Sequence, residues 1–153
     1  MQVGTTTVES NPNASYLDSR YFWIAYTGAV CFLHLMCSCV PSITATTGWL
    51  CTINVHNIGN FIVFHYLRGS PFGCSDQGEN RQLTHWEQIN HGKQWTNTRK
   101  FLIIFPCILF LMCQHYCDYS SDVLFQSIPS FLLQFIPKQP FMHAKRLFGI
   151  NKY

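Results

Sequence analysis

The chain has 153 residues, the size of one domain, and only 11% of them are charged, where a soluble domain carries about 25%. The net charge of +3 is small, and no block of five like charges occurs, so a nucleic-acid surface is excluded. What charge there is falls in patches. Asp, Glu, Lys and Arg are absent from 21–67, from 101–117 and from 123–137. This segregation excludes a soluble globule, a disordered chain and a secreted disulfide scaffold, and reads as a multi-span membrane protein.

Residues 1–20 form a polar arm, in which Pro12 pushes Asn11 away from helix. The first span runs from Tyr21 to Val40 and is ended by Pro41. Twenty helical residues cross roughly 30 Å, the thickness of a hydrocarbon core, and Tyr21, Trp23 and Tyr26 cluster where rings prefer the headgroup level. After a short turn, 41–47, the second span covers Gly48 to Leu67. It is the most polar, with Thr52, Asn54, His56, Asn57, Asn60 and His65, all of which should face protein or water.

Residues 68–100 are a polar connector. Asp76 and Glu79 are spaced as a capping box, which predicts a short helix from there to His91 with Gly92 at its stop. Leu83, Trp86 and Ile89, three apart, form an apolar stripe; with Trp95 they suggest a segment lying on the membrane face or against a partner. The third span reaches Cys117 and contains Pro106. The turn 118–122 leads to the fourth span, Val123 to Ile136, with Pro129 inside it. At 14 residues that span is short and crosses only if the bilayer thins or flanking residues join it; the endoplasmic reticulum membrane is thinner than most, about 27 Å. A basic tail, 137–153, closes the chain. The expected fold is thus an all-α membrane protein: arm 1–20, hairpin 21–67, connector 68–100, hairpin 101–136, tail 137–153.

Arm, connector and tail hold one, five and four Lys/Arg, and the turns 41–47 and 118–122 hold none. By the positive-inside rule both termini and the connector are cytosolic and the two turns lumenal. The sequon Asn13-Ala14-Ser15 should then stay unmodified. The eight cysteines sit mostly in or at the ends of apolar segments and read as free thiols.

No catalytic or phosphate-binding motif occurs, and no cofactor is implied. His85 and Glu87, two apart, point to different helix faces. Cys113, His115 and Cys117 do not share one face either, so no metal centre is expected. The Asn/His group of the second span reads as inter-helix hydrogen bonding, with a polar ion pathway as its rival. A small non-catalytic membrane protein of this kind works by binding a larger partner.

Asn11-Pro12-Asn13, Ser19-Arg20, Pro71-Phe72, Asp76-Gln77-Gly78, Leu83-Thr84-His85-Trp86-Glu87-Gln88, Arg99-Lys100-Phe101, Ile136-Pro137-Lys138 and Phe148-Gly149-Ile150-Asn151-Lys152-Tyr153 resemble the ORM1-like (ORMDL) proteins along the whole chain. The resemblance implies a four-span protein of the endoplasmic reticulum that is not an enzyme. It would bind subunits of serine palmitoyltransferase, the first enzyme of sphingoid-base synthesis, and restrain it when ceramide is abundant. The arm would obstruct the acyl-CoA tunnel. Asn13 would contact the ceramide headgroup, with His85 nearby, and Met1, Asn11, Pro12, Trp86 and Tyr153 would meet the partner. The alternatives are a small channel or transporter subunit and a trafficking adaptor. Tyr21, Phe22, Asn60, Val63 and many of the cysteines depart from the family pattern.

Overall fold

The computed structural model describes residue 11, residues 14–69 and residues 78–145. Four long helices account for most of them: α1 (Arg20–Ser38), α2 (Ala45–Phe61), α4 (Asn97–Tyr116) and α5 (Ser121–Phe135), with a one-turn helix α3 (His85–Gln88) in the connector. No strand forms among the described residues; one isolated bridge pairs Arg68 with Thr84.

The helices begin where capping side chains stand. Ser19 Oγ accepts from the Tyr21 amide, Thr44 Oγ1 from that of Thr47, and Thr96 Oγ1 from that of Arg99. Each relieves an amide that the first helical turn leaves without an intrahelical partner. Beyond Phe61 the ladder widens into a π-helical turn, Ile62–Tyr66, so the helical run from Ala45 extends almost to the expected end of the second span. Both prolines are accommodated: α4 continues through Pro106 and α5 through Pro129.

Two helices, α1 and α4, are long and apolar enough to cross a membrane. Only 11% of the α1 window is buried within the protein. Tyr21, Ile24, Phe32, Leu35 and Met36 on α1, and Ile104, Ile108 and Leu111 on α4, are exposed. An apolar surface of this extent is costly in water and is matched by lipid.

α2 packs against α1, α4 and α5, and its polar residues are spent there. Thr52 is fully buried and bonds to His34 Nδ1 at 3.0 Å, while donating to its own helix at Gly48 O. The Tyr26 hydroxyl lies 2.7 Å from His56 Nε2 and 3.0 Å from Asn60 Oδ1. Asn57 Nδ2 donates to Ser130 Oγ on α5, and Ser130 donates to Asn54. Gln114 of α4 donates to Ser127 of α5 at 2.9 Å. The hydrogen-bonding reading of this group is therefore the one the geometry favours.

Two buried apolar clusters mark opposite ends of the bundle. Ile53, Cys113, Cys117 and Val123 form one beside the short turns. Ala14, Leu17, Phe64, Trp86, Ile89 and Leu102 form the other, beside the connector.

Replacing Asn57 by Ala removes the α2–α5 bond and the partner of His56 Nδ1. Inter-helix bonds of this kind contribute about 0.6–1.7 kcal/mol. Asn57→Ala should lower the melting temperature in detergent, and the double variant with Ser130→Ala should lose less than the sum of the two single changes, the remainder being the Ser130 bond to Asn54. Full additivity of the two changes would show that the bond carries no energy.

Candidate functional site

The arm meets the bundle on a platform made by the connector, and the platform differs from the sequence expectation. Instead of one helix to His91, the segment breaks into a 3-10 turn (Gly78–Gln82), α3, and a second 3-10 stretch (Ile89–Gly92). Asp76 and Gln77 lie outside the described residues. The capping box is Thr84 with Glu87: the Glu87 amide donates to Thr84 Oγ1, and the Thr84 amide donates to Glu87 Oε2 at 2.8 Å. Asn90 and His91 then take left-handed conformations, φ 51° and 52°, followed by Gly92 at 79°. Three such residues in a row cannot continue a right-handed helix.

The apolar stripe is also placed differently. Trp86 and Ile89 are 3% and 0% exposed. They enter the protein's own core and not a membrane face, because the chain reversal at Asn90 folds α3 onto the ends of α2 and α4. Trp95 does remain exposed.

Arg99 locks this arrangement. It sits in the first turn of α4, 1% exposed, and reaches back into the connector. Its Nη2 donates to Trp86 O at 2.8 Å and lies 3.4 Å from Ile89 O; Nη1 donates to Gln94 Oε1 at 3.1 Å. The guanidinium also stacks over Trp86, 4.8 Å from the ring centroid. Lys138, a tail residue on sequence grounds, is buried on the same cluster. Its Nζ donates to Leu102 O and Gln134 Oε1, and lies 5.7 and 5.8 Å from the Phe64 and Trp86 rings.

The root of the arm is fixed to this platform. Residues Ser15–Asp18 form a 3-10 turn that drives Leu17 into the core at 1% exposure, with Ala14 beside it at 3%. Asn11 Nδ2 donates to Gln88 Oε1 at 3.2 Å. Gln88 is itself held, its Nε2 donating to Gly69 O, with Asn80 O and Leu83 O also in reach. The Tyr16 hydroxyl bonds to His85 Nε2 at 2.9 Å, and Thr98 Oγ1 donates to Asp18 Oδ1 at 2.9 Å.

Of the residues singled out from the sequence, Asn11, His85 and Trp86 are brought together here. Met1, Pro12, Asn13 and Tyr153 lie outside the described residues. His85 is 1% exposed and covered by Tyr16, so a ligand reaches it only after Tyr16 moves. Trp86 is a core residue, whose effect on any partner passes through the shape of the platform. The sequence reading missed Tyr16, Gln88, Arg99 and Lys138 as structural anchors. Buried cations and amides carry no periodic signal that separates them from solvated ones.

Burial holds the His85 imidazole below its ordinary 6.5; the Gly69 backbone offsets part of this, although Nδ1 completes no hydrogen bond. Burial also pushes Lys138 down from 10.5 to about 7. In both cases the unfolded chain binds a proton that the folded chain does not, so stability rises with pH. The Lys138 contribution is gained between about 7 and 10.5, and the His85 contribution is lost as the pH falls below 6.5. Unfolding in detergent across this range should show both slopes. His85→Gln should flatten the acidic one and Lys138→Met the alkaline one, and a pH-independent midpoint in the unmodified protein would contradict both assignments. Arg99→Ala removes the charge-assisted bond to the buried Trp86 carbonyl, worth about 1.5–3 kcal/mol. It should make the segment 78–92 sensitive to limited proteolysis before the helices are cut.

The same segments carry the likeness to known proteins. A model of the ORMDL family matches residues 11–146. The chain is 40% identical to ORM1-like protein 3 of Mus musculus and of Homo sapiens, and 39% identical to ORM1-like protein 1 of Bos taurus. Each alignment runs over 153 residues and covers all of both chains. A match from the arm root through the platform to the tail leaves no element of the described fold outside it, and the chain belongs to the ORMDL family.

Proposed function

We propose that this protein is a non-catalytic regulatory subunit of the endoplasmic reticulum membrane that restrains serine palmitoyltransferase in response to ceramide, and so controls sphingolipid synthesis. Four spans, with termini and connector in the cytosol, suit this reading. α1 and α4 are long enough to cross. α2 with its π turn adds 17 and 5 residues, and α5 adds 15. The Lys/Arg distribution supplies the orientation.

The observation that carries the proposal is the anchoring of the arm root. Asn11, Tyr16, Leu17 and Asp18 are each tied to the connector or α4. Residues 1–10 therefore start from a fixed point on the cytosolic face, as an obstructing segment requires. Asn13 lies between two anchored residues, Asn11 and Ala14. Its amide both donates and accepts, which suits the hydroxyls and amide of a ceramide headgroup. His85 acts in this reading through Tyr16, holding the turn Ser15–Asp18 that follows Asn13 in the chain. Met1, Pro12 and Tyr153 would meet the enzyme, while Trp86 shapes the surface that does.

Ceramide shifts the balance between obstructed and open states only through its differential affinity for them. A channel built on the Asn/His face of α2 gains no support, since those side chains bond across the bundle.

Two variants test the proposal in membranes containing serine palmitoyltransferase. Asn13→Ala should co-purify with the enzyme yet need several-fold more ceramide for the same inhibition. Deletion of residues 1–10, which spares Asn11 and the buried Ala14 and Leu17, should bind and not inhibit. Inhibition by either variant that matches the unmodified protein across a ceramide titration would sink the proposal, as would failure of the enzyme to co-purify.

A further inference from the structure

Two thiols face each other where α1 and α2 cross. Cys37 is the penultimate residue of α1 and Cys51 lies in the second turn of α2. Their Sγ atoms are 3.1 Å apart, and neither is in a disulfide. Closing the gap to a bond of about 2.05 Å asks for a shift of roughly an ångström.

The crossing is built tight at this level. A Cβ at Gly48 would stand 3.0 Å from Ser38 Oγ and 3.6 Å from Ser38 Cα, so the missing side chain lets the two backbones approach beside the thiol pair. His34 fixes the register one turn away, bonding to Thr52 and stacking on Trp49 with ring centroids 4.0 Å apart.

The pair is also reachable. Cys51 lines a cavity of about 470 Å3 together with Thr44, Thr47, Asn54, Ser120 and Asp122. This polar crevice opens where both short turns lie. Thiol–disulfide exchange needs a thiolate and an approach for the second reactant. A thiol facing lipid has neither, whereas Cys51 has an open crevice lined by polar side chains on one side and Cys37 on the other.

We propose that Cys37 and Cys51 are a disulfide modification site, closed by exchange with a small or protein-borne disulfide in the lumen, such as oxidised glutathione or an oxidised dithiol protein. Cys51 loses its proton into the crevice and its thiolate attacks the donor disulfide, releasing one donor thiol and leaving a mixed disulfide. Cys37, deprotonated in turn, attacks the Cys51 sulfur and releases the second donor thiol. Two S–H bonds and the donor S–S bond are broken. One S–S bond forms within the protein, and the two electrons and two protons leave with the donor as two thiols. The product is a covalent clasp across the turn 39–44 that holds α1 against α2.

The inference rests on the proposed topology for its oxidant, although not for its geometry, and the test separates the two. Microsomes bearing the full-length protein are quenched with N-ethylmaleimide, and the purified protein is digested without reductant for mass spectrometry. A Cys37–Cys51 linked peptide is expected, lost on reduction, lost in Cys37→Ser and retained in Cys39→Ser. In sealed microsomes the exposed Cys39 should be protected from a membrane-impermeant maleimide. Protected Cys39 with both Cys37 and Cys51 alkylated overturns the disulfide and leaves the topology standing. Labelled Cys39 overturns the topology and with it closure in the lumen. The pairing itself is then decided by equilibrating the purified protein with oxidised glutathione, where absence of the linked peptide refutes it.

Discussion

A single desolvated guanidinium organises the connector end of this protein. Arg99 must be satisfied because it is buried, and the partners available to it are the carbonyls of Trp86 and Ile89 and the amide of Gln94. Meeting that need pulls the connector onto α4. The connector in turn holds Gln88 and His85 in the positions where Asn11 and Tyr16 bond to them. The placement of the arm root thus follows from a charge on a helix that the arm does not touch through that residue. Lysine, with a point charge in place of a planar fork, would not span the same carbonyls.

Within the bundle the same rule acts on neutral groups. α2 carries more polar side chains than lipid would tolerate, and it is the helix that packs against α1, α4 and α5. Its polarity is the reason for its central position. Thr52, His56, Asn57 and Asn60 are all buried, and each has a bond to another helix or to a neighbour that does. α1, by contrast, leaves most of its apolar surface outward and makes its polar contacts with α2 through Tyr26, His34 and Cys37.

The positions that depart from the family pattern separate into two kinds. Asn60 accepts from Tyr26, and Phe22 packs with Tyr26 and Phe101 in an aromatic group against the connector-side cluster. These side chains are mutually dependent, and changing one alone would leave a gap or an unpaired group. Tyr21, 82% exposed, and Val63, 36% exposed, face outward and impose no such constraint. Divergence on that surface is compatible with an unchanged interior.

The segregation of charge, with Pro41 ending the first run, was enough to place four long helices within a few residues of where they lie. That signal is local: a charge-free run describes the residues within it. The connector was not legible in this way. Spacing suggested one amphipathic helix with an outward stripe. In the structure the capping box starts at Thr84, the chain turns left-handed at Asn90, and Trp86 and Ile89 face inward. Arg99 and Lys138 looked like flanking cations because burial is a property of what the rest of the chain brings near. The sequence by itself determined which segments shun water and where the charges between them fall. Only the tertiary structure decided which polar groups inside would find one another, since residues such as Asn11 and Gln88, or Cys37 and Cys51, meet through packing that no local pattern encodes.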